Sequence, residues 1–357
     1  MKKFTKNIIL IIFPFTIAVV VINYFVDPAN VFSQGKYEKK IASIILQGHN
    51  VDNINNCDER ELNFNLVSEL RYKPDVVVMG SSRSLEISSN FFPNKTLLNV
   101  SVSHANINDI ISLVGLLDSF NKFPKEIYIE TSSVFANPNP TYEWLSLYPF
   151  YKLGYKKMNL GISSITPKNE LINISKKIKA LVSFEYFQES IKSLNLFSSQ
   201  EKLMDVGLNQ PKNLGRLADG SITYPLSYRT PDTIKAISDA KLFMFQNKLP
   251  VISVENINIF EKIIIYLKNK GVKVNLLNLP FQLDCYAYYK NTNVTFDIIN
   301  KGILTFATKN KVSILGTFNP LEAKLNRSQF YDPLHCNVTA LKTIINIMKY
   351  IPVDSAK

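Results

Sequence analysis

The chain has 357 residues, 46% of them apolar and 20% charged, which excludes a disordered protein and allows one large domain or two modest ones. Its formal charge of +12 is carried almost wholly by Lys, with Arg only at 60, 71, 83, 216, 229 and 327. Without an Arg-rich stripe or an interleaved aromatic ladder, this charge does not read as a nucleic-acid footprint; it reads as a Lys/Asn/Ile bias or as attraction to an anionic membrane or glycan.

Lys2, Lys3 and Lys6 precede an apolar run from Ile8 to Val26, broken only by Pro14, Thr16 and Asn23. About 20 apolar residues span a bilayer, and leading lysines keep the start of such a helix in the cytoplasm. Residues 1–29 are therefore expected to be an uncleaved, single-pass signal anchor in the inner membrane. The alternative is a cleaved signal peptide, but the run ends in bulky "NYFVDPANVF" without a small-residue cleavage site. Either way residues 30–357 would form one extracytoplasmic, periplasmic domain. Cys57, Cys285 and Cys336 are too few for a disulfide framework. They suggest either a Cys285–Cys336 bridge with one thiol left over or three buried thiols.

Helical spacing covers 36–47 and 58–70. Short apolar strands then alternate with helices: strands at 75–79, 97–102, 126–130, 273–279 and 312–318, and helices at 107–120, 258–271 and 296–310, with a closing helix after Asn337. Continuously apolar strands separated by helices predict an α/β protein with a five-stranded parallel, doubly wound sheet of the flavodoxin-like kind. Between the third and fourth strands lies a helical insertion, about 141–250. It is too long for a plain loop, with helical patterns at 170–195 and 231–246 around the polar "DGSITYPLSYRTPD".

In such a sheet ligands bind beyond the carboxyl ends of the strands, which is where "VVVMGSSRSLEI" places Gly80, Ser81, Ser82 and Arg83. Gly80 permits a sharp turn. A serine there needs a base to act as nucleophile, and the chain offers only His49, His104 and His335. His335 stands in "YDPLHCNVTA" three residues after Asp332. That spacing lets the carboxylate hold one imidazole nitrogen while the other faces a serine, the logic of a Ser-His-Asp triad.

Gly80-Ser81-Ser82 after the first strand, together with Asp332-Pro333-Leu334-His335 before the last helix, resembles the SGNH (GDSL-type) hydrolase superfamily. The resemblance covers roughly 70–135 and 270–350. It implies Ser82 as nucleophile, Ser81 in place of the first block's Asp, Asp332 as orienting acid and His335 as base. With "DERELNF" upstream and an N-terminal anchor, the chain is similar to membrane-anchored envelope members, which move acyl groups, usually acetyl, on or off cell-envelope polysaccharides. The family's oxyanion glycine falls on His104, whose backbone amide can still donate, or whose ring would face substrate. The family's Asn after the third strand is missing; Ser132 or Ser133 stands in, or Asn137 reaches back.

Arg83 reads as a substrate clamp or as an ion pair with Asp58 or Glu59. Arg216, Asp219 and Tyr224, with Trp144 and Tyr142, suggest a glycan groove. Nucleotide-loop and HExxH motifs are absent from the sequence, and neither a metal nor a cofactor is expected. The expected activity is acyl transfer, which needs a multi-pass membrane partner to supply the acyl group, or ester hydrolysis, which does not. The rival expectation is a catalytically weak or inactive envelope module that scaffolds glycan-modifying machinery.

Overall fold

The computed structural model describes residues 2–347 except 28–31, 33–34, 53, 55–56, 133–142, 162–176, 198–213, 293–294 and most of 230–252. Its centre is a five-stranded parallel sheet in the order β2-β1-β3-β6-β7. The strands are β1 (Val76–Met79), β2 (Leu97–Asn99), β3 (Glu126–Glu130), β6 (Lys273–Asn278) and β7 (Ser313–Gly316). β1 lies between β2 and β3, with Val76 opposite both Leu97 and Glu126.

Alternation along β1 explains why both faces are covered. Val77 and Met79 join Ile127, Ile129 and Leu276 on one face, packed by α4 (Ile107–Ser119), α8 (Val254–Asn269) and α10 (Thr295–Asn310). Val76 and Val78 join Leu97, Tyr128 and Leu315 on the other, against α11 (Val338–Ile347). All four side chains of β1 are fully buried. At ~1.5–3 kcal/mol each, their gross burial contributes roughly 6–12 kcal/mol to holding β1 in the middle of the sandwich.

Ahead of the sheet, α2 (Lys36–Leu46) packs on α3 (Glu59–Glu69), whose N-terminus is capped by the Asp58 carboxylate. The insertion contributes α5 (Tyr148–Lys157) against α4, α6 (Phe184–Phe197), a hairpin of β4 (Gly215–Arg216) and β5 (Ile222–Thr223), and the single turn α7 (Leu226–Arg229). The remaining helix, α9 (Leu283–Thr292), follows β6.

Several expectations need correction. The second strand ends at Asn99 rather than 102, because its Asn side chain turns to the neighbouring loop. The polar stretch after 218 is a hairpin, turning at Gly220 with φ +82°, a value that glycine adopts freely. The helix expected over 170–195 is broken at Ser183, and of the 231–246 pattern only 238 and 242 are described. All three cysteines are free, so Cys285 and Cys336 form no bridge.

The apolar N-terminal run is helix α1 (Lys2–Val26). Among the described residues no helix is long and apolar enough to cross a membrane.

Candidate active site

The nucleophile turn begins where β1 runs out of apolar residues. A Cβ on Gly80 would sit 2.4 Å from Glu130 Cβ and 2.7 Å from Ser84 Oγ, so close approach to β3, not a special φ, is what requires glycine here. Ser82–Ser84 form one tight 3₁₀ turn, capped by Ser81 Oγ accepting from the Arg83 amide at 3.4 Å. The fully buried Asn99 side chain donates to the carbonyls of Ser84, Leu85 and Ile87 at 2.8–3.2 Å and accepts from the Ser101 amide. With its carbonyls satisfied this way, the turn holds without a regular helix.

Across the crevice, the His335 loop is cinched by the bridge between Phe330 and Cys336 and by the Tyr331 amide donating to the His335 carbonyl. Asp332 Oδ1 accepts from the amides of Leu334 and His335 at 2.7 and 2.9 Å, a local turn that presents Oδ2 to the ring. His335 Nδ1 lies 2.7 Å from Asp332 Oδ2, and Nε2 lies 2.8 Å from Ser82 Oγ. A carboxylate partner places the proton on Nδ1 and leaves Nε2 to accept from the serine. Burial pushes the Asp332 carboxyl up, but hydrogen bonds from His335, Tyr228 and the Leu334 amide outweigh it and hold the group down at about 2. Asp332 is therefore ionised throughout the neutral range and serves as an orienting anion.

No protein-family model matches this chain, and no curated protein does. The geometry alone carries the reading of the site.

Arg83 takes neither expected role. Its guanidinium donates through Nε to the Leu334 carbonyl at 3.1 Å and through Nη2 to the carbonyls of Leu279 and Pro280 at 2.5 and 2.8 Å. Nη1 lies 3.7 Å from Glu130 Oε1, and the group sits 4.3 Å above the Phe281 ring. Buried to 6% exposure, it is closed to substrate. Asp58 is spent capping α3, while Glu59 accepts from Arg216 at 2.6 Å and from the Ser103 amide. Arg83 thus joins the Ser82 turn, the segment just after β6 and the residue before His335.

Glu130, fully buried at the end of β3, faces this guanidinium and was not anticipated. It accepts from Ser81 Oγ at 2.9 Å, from the Ser132 amide at 3.1 Å and from the Ser132 hydroxyl. Ser81 and Ser132 are therefore turned to Glu130, a correction to both as substrate-facing residues. Ser133, Asn137 and Tyr142 lie outside the described residues. His104 is exposed and holds φ +54°, the left-handed conformation usually left to glycine. Among the described residues its side chain has no hydrogen bond to Ser82 or His335.

The expected glycan groove is also revised. Arg216 is 2% exposed, bound to Glu59 and the Gly220 carbonyl, and Asp219 Oδ2 accepts from the Ser89 amide. Trp144 is buried against Tyr148 and Tyr151. These side chains dock the insertion instead of lining a groove.

Tyr224 does reach the site, its ring 6.4 Å from His335 and 4.6 Å from Tyr228. Tyr228 donates its hydroxyl to Asp332 Oδ2, the oxygen that also holds His335 Nδ1. Behind them Glu86, buried beside Tyr331 and Arg229, has its carboxyl pushed by burial up to about 7. A carboxylate that loses one donor becomes a stronger partner for an imidazolium. Tyr228→Phe is therefore expected to move the acid limb of the pH–rate profile upward by roughly 0.5–1 unit, measured as the rate of covalent modification of Ser82 between pH 5 and 9. An unchanged limb would leave Tyr228 a packing residue.

Proposed function

We propose that the chain is a serine-dependent acyltransferase or esterase of the SGNH kind, held at the outer face of the inner membrane by α1 and acting on a cell-envelope polysaccharide. The observation that carries this reading is the continuous hydrogen-bonded line from Ser82 Oγ through His335 to Asp332. It stands at the carboxyl end of β1, between β2 and β3 in a parallel sheet compatible with that superfamily's fold.

In this mechanism Ser82 Oγ attacks the carbonyl of an acyl donor while His335 Nε2 takes the hydroxyl proton. Asp332 stabilises the imidazolium. The tetrahedral oxyanion is assigned to backbone amides at the Ser82 turn and at His104, whose left-handed φ suits the part. Collapse expels the donor's alcohol, which collects the proton from His335. A sugar hydroxyl or water then attacks the acyl-Ser82 ester, giving transfer or hydrolysis. Transfer requires a multi-pass membrane partner to deliver acyl groups from the cytoplasm; hydrolysis does not.

The second reading, a weakly active or inactive envelope module, is favoured by one observation: the Ser132 amide and hydroxyl are both spent on Glu130. A fluorophosphonate serine probe applied to the full chain separates the two. Labelling that disappears in Ser82→Ala supports the enzyme, whereas a well-folded wild type that takes no label, or a variant that labels equally, supports the module.

A further inference from the structure

The insertion's α6 does not approach the triad; it packs on α1. Asn23 of α1 is fully buried in that packing. Its amide donates to the carbonyls of Ala180, Leu181 and Ser183 at 2.9–3.1 Å, at the end of the helical stretch 177–182. The buried hydroxyl of Ser190 donates to Asn23 Oδ1 at 3.2 Å, and the Tyr186 hydroxyl donates to Asp27 at 2.7 Å. The polar groups of the crossing are thus met within the protein.

The outward surface is amphipathic, with Lys179, Glu185, Gln188, Glu189 and Lys192 exposed beside a set of large apolar side chains. Ile178, Val182, Phe184 and Ile191 are 40–59% exposed, beside a row on α1 that includes Phe13 and Phe15. Phe187 bridges the two surfaces, edge-on to Phe15 at 6.3 Å and stacked on Phe184 at 5.8 Å. Polar groups satisfied inside and large apolar side chains outside are what a non-aqueous surrounding selects. The same face continues the helix that begins with Lys2, Lys3 and Lys6.

We propose that residues 177–192 are a second membrane-contacting element, seated beside α1 with Val182, Phe184 and Ile191 in the acyl-chain boundary of the bilayer. The occupant of the face is lipid, because Ile178, Val182, Phe184 and Ile191 continue the apolar surface of α1, while the exposed Lys179, Glu185, Gln188, Glu189 and Lys192 give the stretch the polar side of an interfacial amphipathic helix. This rests on the reading of α1 as the membrane anchor. It gives the insertion a task beyond the site: fixing how the domain sits over the membrane surface.

The test places single tryptophans in the full chain at Phe13, Val182, Phe184 and, as a control far along the chain, the exposed Leu321. Trp144, the only native tryptophan and a buried one, supplies the baseline. The proteins are reconstituted into phosphatidylcholine–phosphatidylglycerol vesicles with brominated acyl chains. Seating ~5–10 Å into the boundary is expected to remove about half of the added emission at 13, 182 and 184, and none at 321. Quenching at 13 but not at 182 and 184 overturns the proposal while leaving the anchor in place. Emission at 184 that is blue-shifted yet unquenched assigns the face to a protein and also overturns it. Absence of quenching at 13 removes the anchor reading and this proposal with it.

Discussion

Asp332→Asn is expected to leave the domain folded and to slow modification of Ser82 by about four orders of magnitude. The carboxylate now accepts from His335 Nδ1, from Tyr228 and from two backbone amides. A carboxamide can keep the amide contacts through its oxygen, but its NH₂ faces a nitrogen that already carries a proton. The imidazole escapes this clash by moving its proton to Nε2, which then points a donor at Ser82 and cannot act as base. The check is the second-order rate of fluorophosphonate labelling at neutral pH, with circular dichroism on the same samples. A loss below tenfold would mean that Asp332 is a turn residue, and that the line from Ser82 ends at the imidazole.

Arg83→Ala is expected to cost stability rather than to weaken substrate binding, by roughly 3–5 kcal/mol, because it removes the guanidinium 3.7 Å from the buried Glu130 carboxylate. It also removes donors from the carbonyls of Leu279, Pro280 and Leu334. Removing the facing carboxylate as well, in Arg83→Ala with Glu130→Gln, is expected to recover part of the loss. Urea titration of both variants and of Glu130→Gln alone measures the coupling. A substrate clamp predicts the reverse: unchanged urea midpoints in Arg83→Ala and a raised KM.

The parallel sheet was legible because its strands are buried on both faces. "VVVM" is a continuous apolar run of the kind that a strand covered on both faces requires, and "EIYIE" keeps Ile127 and Ile129 on one covered face with Tyr128 on the other. The triad was legible because both of its halves are local. Asp332 and His335 are three residues apart, and Ser82 stands at a strand end beside a glycine. What failed were side chains whose partners lie far away in sequence. Arg83 is 47 residues from Glu130 and about 250 from Leu334, so nothing near it indicated a buried clamp. Glu130 did leave a trace, as a carboxylate closing an apolar strand and aimed at the catalytic edge. Tyr228 left none: it is one of 17 tyrosines, set in a stretch with no regular pattern. Arg216 and Trp144 were read as surface residues because polarity and aromaticity were taken for exposure, whereas both are buried where the insertion meets the core.

The two neighbours Ser82 and Arg83 stand under different obligations. Among the described residues, the Ser82 side chain bonds only to His335, whereas Arg83 ties three parts of the chain together. Replacement of Ser82 would therefore cost folding little. Replacement of Gly80, Arg83 or Glu130 would instead strike the fold itself.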